Sequence, residues 1–534
     1  MASLVLKGGR NEPRGAPLTT DRIDWKAWLA EGTVGPVSAA TACIAAYCLM
    51  QVLALSLLVH LAGTGVGIDD AEQLVYLPYL WAGYGGSQPP LYTWINRAAS
   101  TVFGVSVPTL KLVKYACLFL AAWCIRSAMR RLGFSRPTAA TAAFGLFLIP
   151  QFVWESQRAL SHSAAAVGFS ALAFLAFARL QARPTLLAYA AFGLASAAAV
   201  LGKYNDAIVL GAMLAAALSI REFRAVLFDR RFLIAIIVTA LALAPTLLWN
   251  ARHPGELLAR SAKFGIAPDG RSWTTPLVGL RELVIAVFDF AVLPVVVLVI
   301  AAAIGLRKRP PSTPAPAPAA ERLLWRTLGL GLVAVVIFVL AAGATHIRDR
   351  WFLPVLFLLP AAAAASMERF GERGRAAQLS AIRGAVVVAA VATPALWYTQ
   401  IYTGDGQGRI ARLDYPALRN AIAAQGPVAT VLSSGLWIGN LRLVEPDLTL
   451  LADEVPDFPR LIREPAVFVW IDEAAPPAAF VAKLSGAGFV LDGLASRVAI
   501  AEKVGGGSRE VGIARLKRIE STAPGAAVET GAKR

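Results

Sequence analysis

Three acidic side chains, Asp69, Asp70 and Glu72, stand close together in the chain. Asp69 and Glu72 are three positions apart, so they share one face if this segment is helical, whereas Asp70 points elsewhere. A carboxylate within hydrogen-bond reach of a hydroxyl group can take its proton while the oxygen attacks, so the shared face could supply a general base. Solvated acids of a surface loop are the alternative interpretation of the same spacing.

An aromatic segment that also carries glycine and proline follows the acids. Residues 81–94 read Trp-Ala-Gly-Tyr-Gly-Gly-Ser-Gln-Pro-Pro-Leu-Tyr-Thr-Trp, and they include Tyr84, Gln88, Pro89 and Tyr92. Alone, such a segment could form an aromatic belt at a membrane surface, where Trp and Tyr are enriched. Its position directly after three acids favours a functional site.

The composition indicates which kind of scaffold must position these residues. Hydrophobic residues make up 57% of the chain and charged residues 16%, against roughly 45–50% and about 25% in soluble domains. These values exclude a disordered chain, a fibrous protein and an ordinary cytosolic enzyme. The net charge of +17 is explained by membrane topology and anionic lipid, and nucleic acid is not expected as a partner. All four cysteines lie in apolar stretches, which predicts neither a disulfide framework nor a zinc site.

The apolar runs predict an α-helical polytopic membrane protein. A helix needs about 20 apolar residues to cross the hydrocarbon core. Eleven candidate runs are present, at 37–61, 108–129, 138–153, 163–177, 186–201, 207–218, 232–249, 283–306, 328–344, 352–365 and 385–397. Several are short and alanine-rich, which is typical of tightly packed interior helices.

Lys and Arg are concentrated in every second connection between these runs. The positive-inside rule therefore predicts a cytoplasmic N-terminal segment, 1–36, and a transmembrane domain, 37–398. The connections 62–107 and 250–281 are then exported, and an odd number of spans sends the C-terminal part to the same side. Five β-rich runs and one helical pattern between 428 and 500 predict a small α/β domain at 399–504. Residues 505–534 are predicted to be a flexible tail.

The acids and the aromatic segment resemble a known family. An acidic pair after the first span, followed by Pro-Pro-Leu-Tyr-x-Trp at 89–94, is similar to the C-type membrane glycosyltransferases of family 39. This group includes protein O-mannosyltransferases and the aminoarabinose and galacturonic acid transferases that modify lipid A. Gly202-Lys203-Tyr204 and the segment 346–354, His-Ile-Arg-Asp-Arg-Trp-Phe-Leu-Pro, resemble further elements of the family. The resemblance covers roughly residues 69–360 and implies the GT-C fold.

The resemblance implies a reaction and roles for single residues. An inverting enzyme would move a monosaccharide from a polyprenyl phosphate to a lipid or glycan acceptor, such as lipopolysaccharide, outside the cytoplasm of a bacterial inner membrane. Asp69 matches the catalytic base. Asp70 matches the second catalytic acid, which is usually Glu, and is expected to hold acceptor or neighbouring loop groups in place. Ser87 and Gln88 stand where the lipid A-modifying members often have Glu and Lys, so the phosphate or metal contacts of those members do not transfer directly.

The leaving lipid phosphate needs a nearby cation. Lys203 and Arg350 are favoured because each begins or ends a span, and snorkelling interface residues are the alternative. Glu155 and Arg158 could form a local ion pair; alternatively, Glu155 is a second acidic group beside the sugar or a metal. The residues predicted to bind substrate are Glu72, Tyr84, Gln88, Pro89, Tyr92, Glu155, Arg158, Lys203, Tyr204, His346, Arg348 and Arg350. No cofactor is assigned; a divalent cation is possible, although His162, His253 and His346 share no ligand spacing.

Three other functions are weighed against this one. A protein O-glycosyltransferase would use the same acids on a polypeptide acceptor. A lipid or solute transporter would need charges in mid-span, yet the spans carry little charge apart from Lys111, Lys114 and Arg126. A non-catalytic assembly factor would bind a partner through its exported domain.

Overall fold

The computed structural model of the protein describes residues 24–85, 88–255, 262–266, 272–308, 313–402 and 409–519. The first part, up to residue 402, is a helical bundle. Its helices are α1 (Trp25–Glu31), α2 (Ala39–Ala62), α3 (Ile68–Tyr76), α4 (Leu91–Phe103), α5 (Val107–Arg131), α6 (Arg136–Gly145), α7 (Ser156–Arg158), α8 (Ser161–Ala182), α9 (Leu186–Gly202), α10 (Asp206–Leu218), α11 (Arg221–Leu227), α12 (Phe232–Arg252), α13 (Thr275–Lys308), α14 (Ala319–Ala342), α15 (Leu353–Leu356), α16 (Leu359–Glu368) and α17 (Gly371–Tyr402). A short antiparallel pair, β1 (Thr33–Val34) and β2 (Val37–Ser38), precedes α2.

The helices long and apolar enough to cross a membrane are α2, α5, α8, α12, α13, α14 and α17, counted over the described residues. Two further candidate spans are broken by bends of 71° and 46°, and α9 and α10 are shorter apolar helices. These segments coincide with the eleven predicted runs. The structure therefore confirms a polytopic helical membrane protein.

Small residues let the helices of the bundle approach closely. A Cβ added to Gly168 of α8 would lie 2.8 Å from the carbonyl oxygen of Cys117 in α5. Gly193 of α9 approaches the backbone of Ala235 in α12 in the same way, where an added Cβ would lie 2.4 Å from its carbonyl oxygen. Close backbone approach at small residues is how helices associate in membranes, where no hydrophobic driving force is available between them.

The two broken spans meet near one end of the bundle. The first continues from α6 through a 3-10 turn, Leu146–Leu148, to a π-helical turn, Gln151–Glu155. The second begins with the 3-10 turn Asp349–Phe352 before α15. The Gln151 Nε2 group donates a hydrogen bond to Asp349 Oδ2 at 2.5 Å and joins them. Isolated π-turns of this kind are frequent at functional sites.

Residues 409–519 form the C-terminal domain, a mixed sheet with helices packed against it. Its strands lie in the order β4-β3-β5-β7-β6; β3 pairs in parallel with β4 and β5, and β7 is antiparallel to β5 and β6. The elements are α18 (Tyr415–Ala423), β3 (Thr430–Ser433), a 3-10 helix (Leu436–Leu443), β4 (Thr449–Ala452), α19 (Phe458–Leu461), β5 (Ala466–Ile471), α20 (Ala478–Gly486), β6 (Phe489–Ala501) and β7 (Ser508–Arg518).

The structure corrects two of the predicted boundaries. The last span continues to Tyr402, so the boundary predicted at 398 falls inside a helix. The predicted tail is wrong for 508–518, which form β7 between β5 and β6. Residues 511–514 of β7 are buried, whereas its charged residues lie toward the two ends of the strand. Residues 520–534 of that tail lie outside the described part of the chain.

Candidate active site

Asp69 lies in the first turn of α3, directly after the membrane helix α2 and a short loop. Its Oδ2 atom accepts a hydrogen bond from the backbone N–H of Leu160 at 2.5 Å. Leu160 has a φ of 49°, a left-handed conformation that is unfavourable for a leucine. This conformation places the N–H just before α8, so the strained residue orients the Asp69 carboxylate.

Asp70 points away from Asp69 into the membrane bundle. Its oxygens lie 2.8 Å from Lys111 Nζ and 3.0 Å from Lys114 Nζ, both on α5, and the Ser161 hydroxyl donates to it at 3.0 Å. Burial would raise the pKa of Asp70, but the two ammonium groups outweigh it and hold that pKa well below its usual range. With 3% of its surface exposed, Asp70 holds α3 against α5 and α8. This buried position favours a structural role for Asp70, and its catalytic role stays a prediction.

We expect Asp70→Asn to lower the stability of the folded protein. It would leave two buried ammonium groups without a counter-charge, and breaking a buried ion pair costs about 3–5 kcal/mol. The unfolding midpoint of the purified protein in detergent measures the change. Glu31→Gln is the matched control, because it removes a half-exposed pair with Arg375 that is worth about 0–1 kcal/mol.

A triple variant separates charge from shape at this position. Asp70→Asn combined with Lys111→Met and Lys114→Met removes all three charges and should regain most of the lost stability, since buried ion groups can be replaced by apolar residues of similar volume. An unchanged midpoint in Asp70→Asn alone would contradict the assigned structural role.

Glu72 lies on the same side of α3 as Asp69, as their spacing predicts. Burial, followed by the nearby carboxylates of Asp69 and Glu454, raises the pKa of Glu72 to about 8, and Lys263 opposes them. Its Oε1 atom is 4.0 Å from His162 Nε2. This shift favours the protonated form of Glu72 near neutral pH, and a protonated carboxyl can donate a hydrogen bond.

Lys203 occupies the turn between α9 and α10 at the same end of the bundle. Its ammonium group donates to the Ser163 hydroxyl at 3.0 Å. Burial lowers the pKa of Lys203 to about 8; Asp206 and Asp69 oppose this shift, and Arg350 adds to it. Lys203 is thus close enough to Asp69 and to Arg350 for each charge to act on it, although the three residues come from distant segments.

Comparisons with known proteins identify the family of the chain. A lipopolysaccharide core galacturonosyltransferase, RgtB of Rhizobium johnstonii, is 32% identical over 450 residues, which cover 82% of this chain and 88% of that protein. The chain belongs to the C-type membrane glycosyltransferases of family 39. A second galacturonosyltransferase of the same organism, RgtA, is 29% identical over 85% of this chain and 92% of its own length.

A family model and a solved structure also match the chain. Residues 87–249 match the family model described as dolichyl-phosphate-mannose-protein mannosyltransferase. The crystal structure of ArnT from Cupriavidus metallidurans bound to undecaprenyl phosphate superimposes with a TM-score of 0.52 at 14% identity. That superposition covers 89% of this chain and 98% of ArnT and shows the GT-C fold. The protein is therefore a multi-pass membrane glycosyltransferase.

Other predicted site residues of this glycosyltransferase build the loop around the acids. The Tyr84 hydroxyl donates to the carbonyl oxygen of Tyr79 at 2.8 Å. Tyr92 is fully buried beside the His162 ring, with the ring centroids 5.4 Å apart. Gln88 and Pro89 precede α4, whose first turn begins after Pro90. Tyr84 and Tyr92 of the aromatic segment therefore contact other groups of the protein and support the loop that follows α3.

Some predicted residues lie at the rim. Glu155 and Arg158 form a half-exposed ion pair with an N···O distance of 3.5 Å, which is the first of the two interpretations of these residues. Arg348 Nε donates to His346 Nε2 at 2.9 Å, and both side chains are exposed. The Tyr204 hydroxyl accepts from Asn250 Nδ2 at 3.0 Å.

Several residues of the site are not among those predicted. Among them are Lys111 and Lys114 of α5, the partners of Asp70, which the sequence identifies only as charges within a span. Their signal was available: two lysines three apart in an apolar helix require a buried counter-charge. Glu454 of the C-terminal domain is near enough to Glu72 to raise its pKa. No local sequence pattern predicts this proximity. Within the described residues, no three His, Cys, Asp or Glu side chains converge to hold a metal ion.

Proposed function

We propose that the protein is an inverting glycosyltransferase that moves a sugar from a polyprenyl-phosphate donor to lipopolysaccharide on the extracytoplasmic side of the inner membrane. The observation that carries the proposal is the position of Lys203, which donates to Ser163 and lies within the electrostatic reach of both Asp69 and Arg350. One carboxylate and two cations at a membrane surface suit a hydroxyl acceptor and a departing lipid phosphate.

The position of the site in the bundle supports an extracytoplasmic reaction. The basic connections gather at the other end, where Arg375 lies 2.9 Å from Glu31 and Arg322 lies 2.8 Å from Glu222. Because basic connections stay in the cytoplasm, the end that carries Asp69 faces outward. Nucleotide sugars are absent there, which favours a lipid-linked donor.

The chemistry follows from the geometry of Asp69. The hydrogen bond from Leu160 holds Oδ2, and Oδ1 accepts no hydrogen bond from the described residues. Oδ1 is therefore placed to take the proton of an acceptor hydroxyl as its oxygen forms a bond to the anomeric carbon. The bond from that carbon to the phosphate oxygen breaks on the opposite face, which inverts the configuration. Lys203 and Arg350 stabilise the charge that grows on the departing phosphate.

The relatives support a more specific proposal for donor and acceptor. Both curated relatives are named lipopolysaccharide core galacturonosyltransferases, and the structural relative holds undecaprenyl phosphate. We therefore propose galacturonic acid as the sugar, a polyprenyl phosphate as its carrier, and the lipopolysaccharide core as the acceptor. A polypeptide acceptor is the alternative, because the family model that matches 87–249 is named for protein mannosyltransferases.

A transfer assay with purified protein tests this proposal. Liposomes that contain lipopolysaccharide core and a radiolabelled polyprenyl-phosphate galacturonic acid should yield labelled lipopolysaccharide. The same sugar on a nucleotide should give no product, because the site faces a compartment without nucleotide sugars. Equal or better use of the nucleotide sugar would contradict the proposed donor, and label on protein instead of lipopolysaccharide would reverse the choice of acceptor.

A further inference from the structure

The 3-10 helix Leu436–Leu443 of the C-terminal domain packs directly on α3, the helix that carries Asp69. Before α3, the Asn440 side chain accepts from the Val66 N–H at 2.7 Å and donates to the Val66 carbonyl at 3.1 Å. Toward the other end of α3, Arg442 Nε donates to the carbonyl oxygen of Leu74 at 2.6 Å. Two neighbouring side chains of one short helix thus hold both ends of α3.

The backbones of the two helices are in contact between these anchors. A Cβ added to Gly439 would lie 2.0 Å from the carbonyl oxygen of Ala71 in the middle of α3. A Cβ added to Gly65 would lie 2.4 Å from Asn440 Oδ1. Because both distances are too short for any side chain, glycine is required at both positions for this approach.

Both anchoring side chains are buried and hydrogen-bonded. Asn440 is 1% exposed and Arg442 is 5% exposed. Arg442 also donates from NH1 to the carbonyl of Pro446 at 2.8 Å. Buried polar side chains are costly to leave without partners, so Asn440 and Arg442 disfavour any shift of α3 that would break these bonds.

The other side of α3 is held by the membrane bundle. Asp70 joins it to Lys111 and Lys114 of α5, so the helix lies between two bodies that contact it through different residues. Asp69 and Glu72 lie on the helix that is held in this way. The position of the base relative to Leu160 and Lys203 therefore depends on both bodies.

We propose that the C-terminal domain acts as a clamp for the catalytic helix, and that Asn440 and Arg442 are positioning residues of the transfer reaction. The inference rests on the proposed function, in which Asp69 is the base. Neither residue touches the reacting groups in this arrangement; each acts through the backbone of α3. Displacement of a catalytic group by about 1 Å can lower the rate of a reaction about a hundredfold.

Turnover of Asn440→Ala and Arg442→Ala is the first test. We expect turnover per donor-binding site to fall about a hundredfold in each variant, whereas the KM for the polyprenyl-phosphate sugar should stay unchanged because Lys203 and Arg350 lie outside the clamp. Donor-binding sites are counted by titration with polyprenyl phosphate, so a partly misfolded preparation lowers the count and not the turnover per site. Arg442→Lys, which keeps a charge and a donor, should recover part of the rate.

Two matched controls lie on the same domain. Asn420 is exposed on α18, and Arg419 forms a half-exposed ion pair with Glu445 at 2.8 Å. Asn420→Ala and Arg419→Ala should retain full turnover. A similar loss in either control would assign the effect to the domain surface and overturn the clamp.

Hydrogen exchange tests the clamp without any assay of transfer. In the full-length Asn440→Ala and Arg442→Ala variants, the backbone amides of α3 should exchange faster than in the wild type. The amides of β3 and β5 should keep their protection. Unchanged exchange in α3 together with full turnover would overturn the proposal. If the wild-type protein transfers no sugar at all, the proposed function fails, and the exchange of α3 still decides whether the domain holds this helix.

Discussion

Asp69→Asn is expected to lower turnover about a hundredfold or more, within the range of roughly 10²–10⁴ that general bases contribute. Asparagine keeps the shape of the side chain and can still accept the hydrogen bond from Leu160, but it cannot take a proton from the acceptor. Donor binding should change little, because in the proposed mechanism Lys203 and Arg350, and not Asp69, hold the lipid phosphate. Steady-state transfer to lipopolysaccharide core, together with a separate measurement of donor binding, checks both parts.

The matched control for this variant is Asp492→Asn, which changes an exposed aspartate on β6 far along the chain. It should leave turnover unchanged. Full activity of Asp69→Asn with a hydroxyl acceptor would remove Asp69 from the mechanism. If the acceptor is a phosphate that is already ionised, no proton has to be taken and the loss should be much smaller.

Lys203→Met is expected to lower turnover about 10²–10³-fold, the range found when one group that stabilises a developing negative charge is removed. The departing phosphate would lose the cation that donates to Ser163 and lies close to Asp69. Methionine preserves much of the length of the chain, so the change removes charge rather than packing. Turnover and the KM of the polyprenyl-phosphate sugar are the quantities to measure, and both should worsen.

The pH dependence of the wild-type enzyme follows from the same lysine. Burial lowers the pKa of Lys203 to about 8, so the cation is present below that pH and is lost as the pH rises through it. Activity should therefore decline on the alkaline side near pH 8, and Lys203→Arg should move this decline to higher pH. Lys483→Met, which alters an exposed lysine paired with Asp453, is the control and should keep the wild-type profile. A wild-type rate in Lys203→Met would exclude the lysine from the reaction.

The transmembrane architecture could be predicted because a bilayer demands long apolar helices. Even the short runs at 186–201 and 207–218 correspond to helices, α9 and α10. The orientation of Asp69 and Glu72 could also be predicted, since three-residue spacing on a helix fixes which side chains share a face. Both inferences use only neighbours in the sequence.

The partners of these residues could not be predicted in the same way. Lys111 and Lys114 were visible as charges, but nothing local connects them to Asp70, which is 41 residues away from Lys111. The strand β7 was missed because its arginines and lysines suggest a solvated tail when its pairing partners are unknown. Asn440 and Arg442 belong to no periodic pattern or motif in the sequence. Only the structure shows that they contact α3 and a residue before it, through the 3-10 helix.

Val66 and Asn440 are hydrogen-bonded although they are 374 positions apart in the chain. Because synthesis proceeds from the N-terminus, Val66 is made long before Asn440. The first exported loop leaves the ribosome long before the C-terminal domain exists. In the proposed orientation, α3 can make its contacts with Asn440 and Arg442 only after the last span has inserted and the domain behind it has crossed the membrane. If the domain clamps α3 as proposed, an incompletely inserted chain lacks a finished site, and sugar transfer would be restricted to molecules whose membrane insertion is complete.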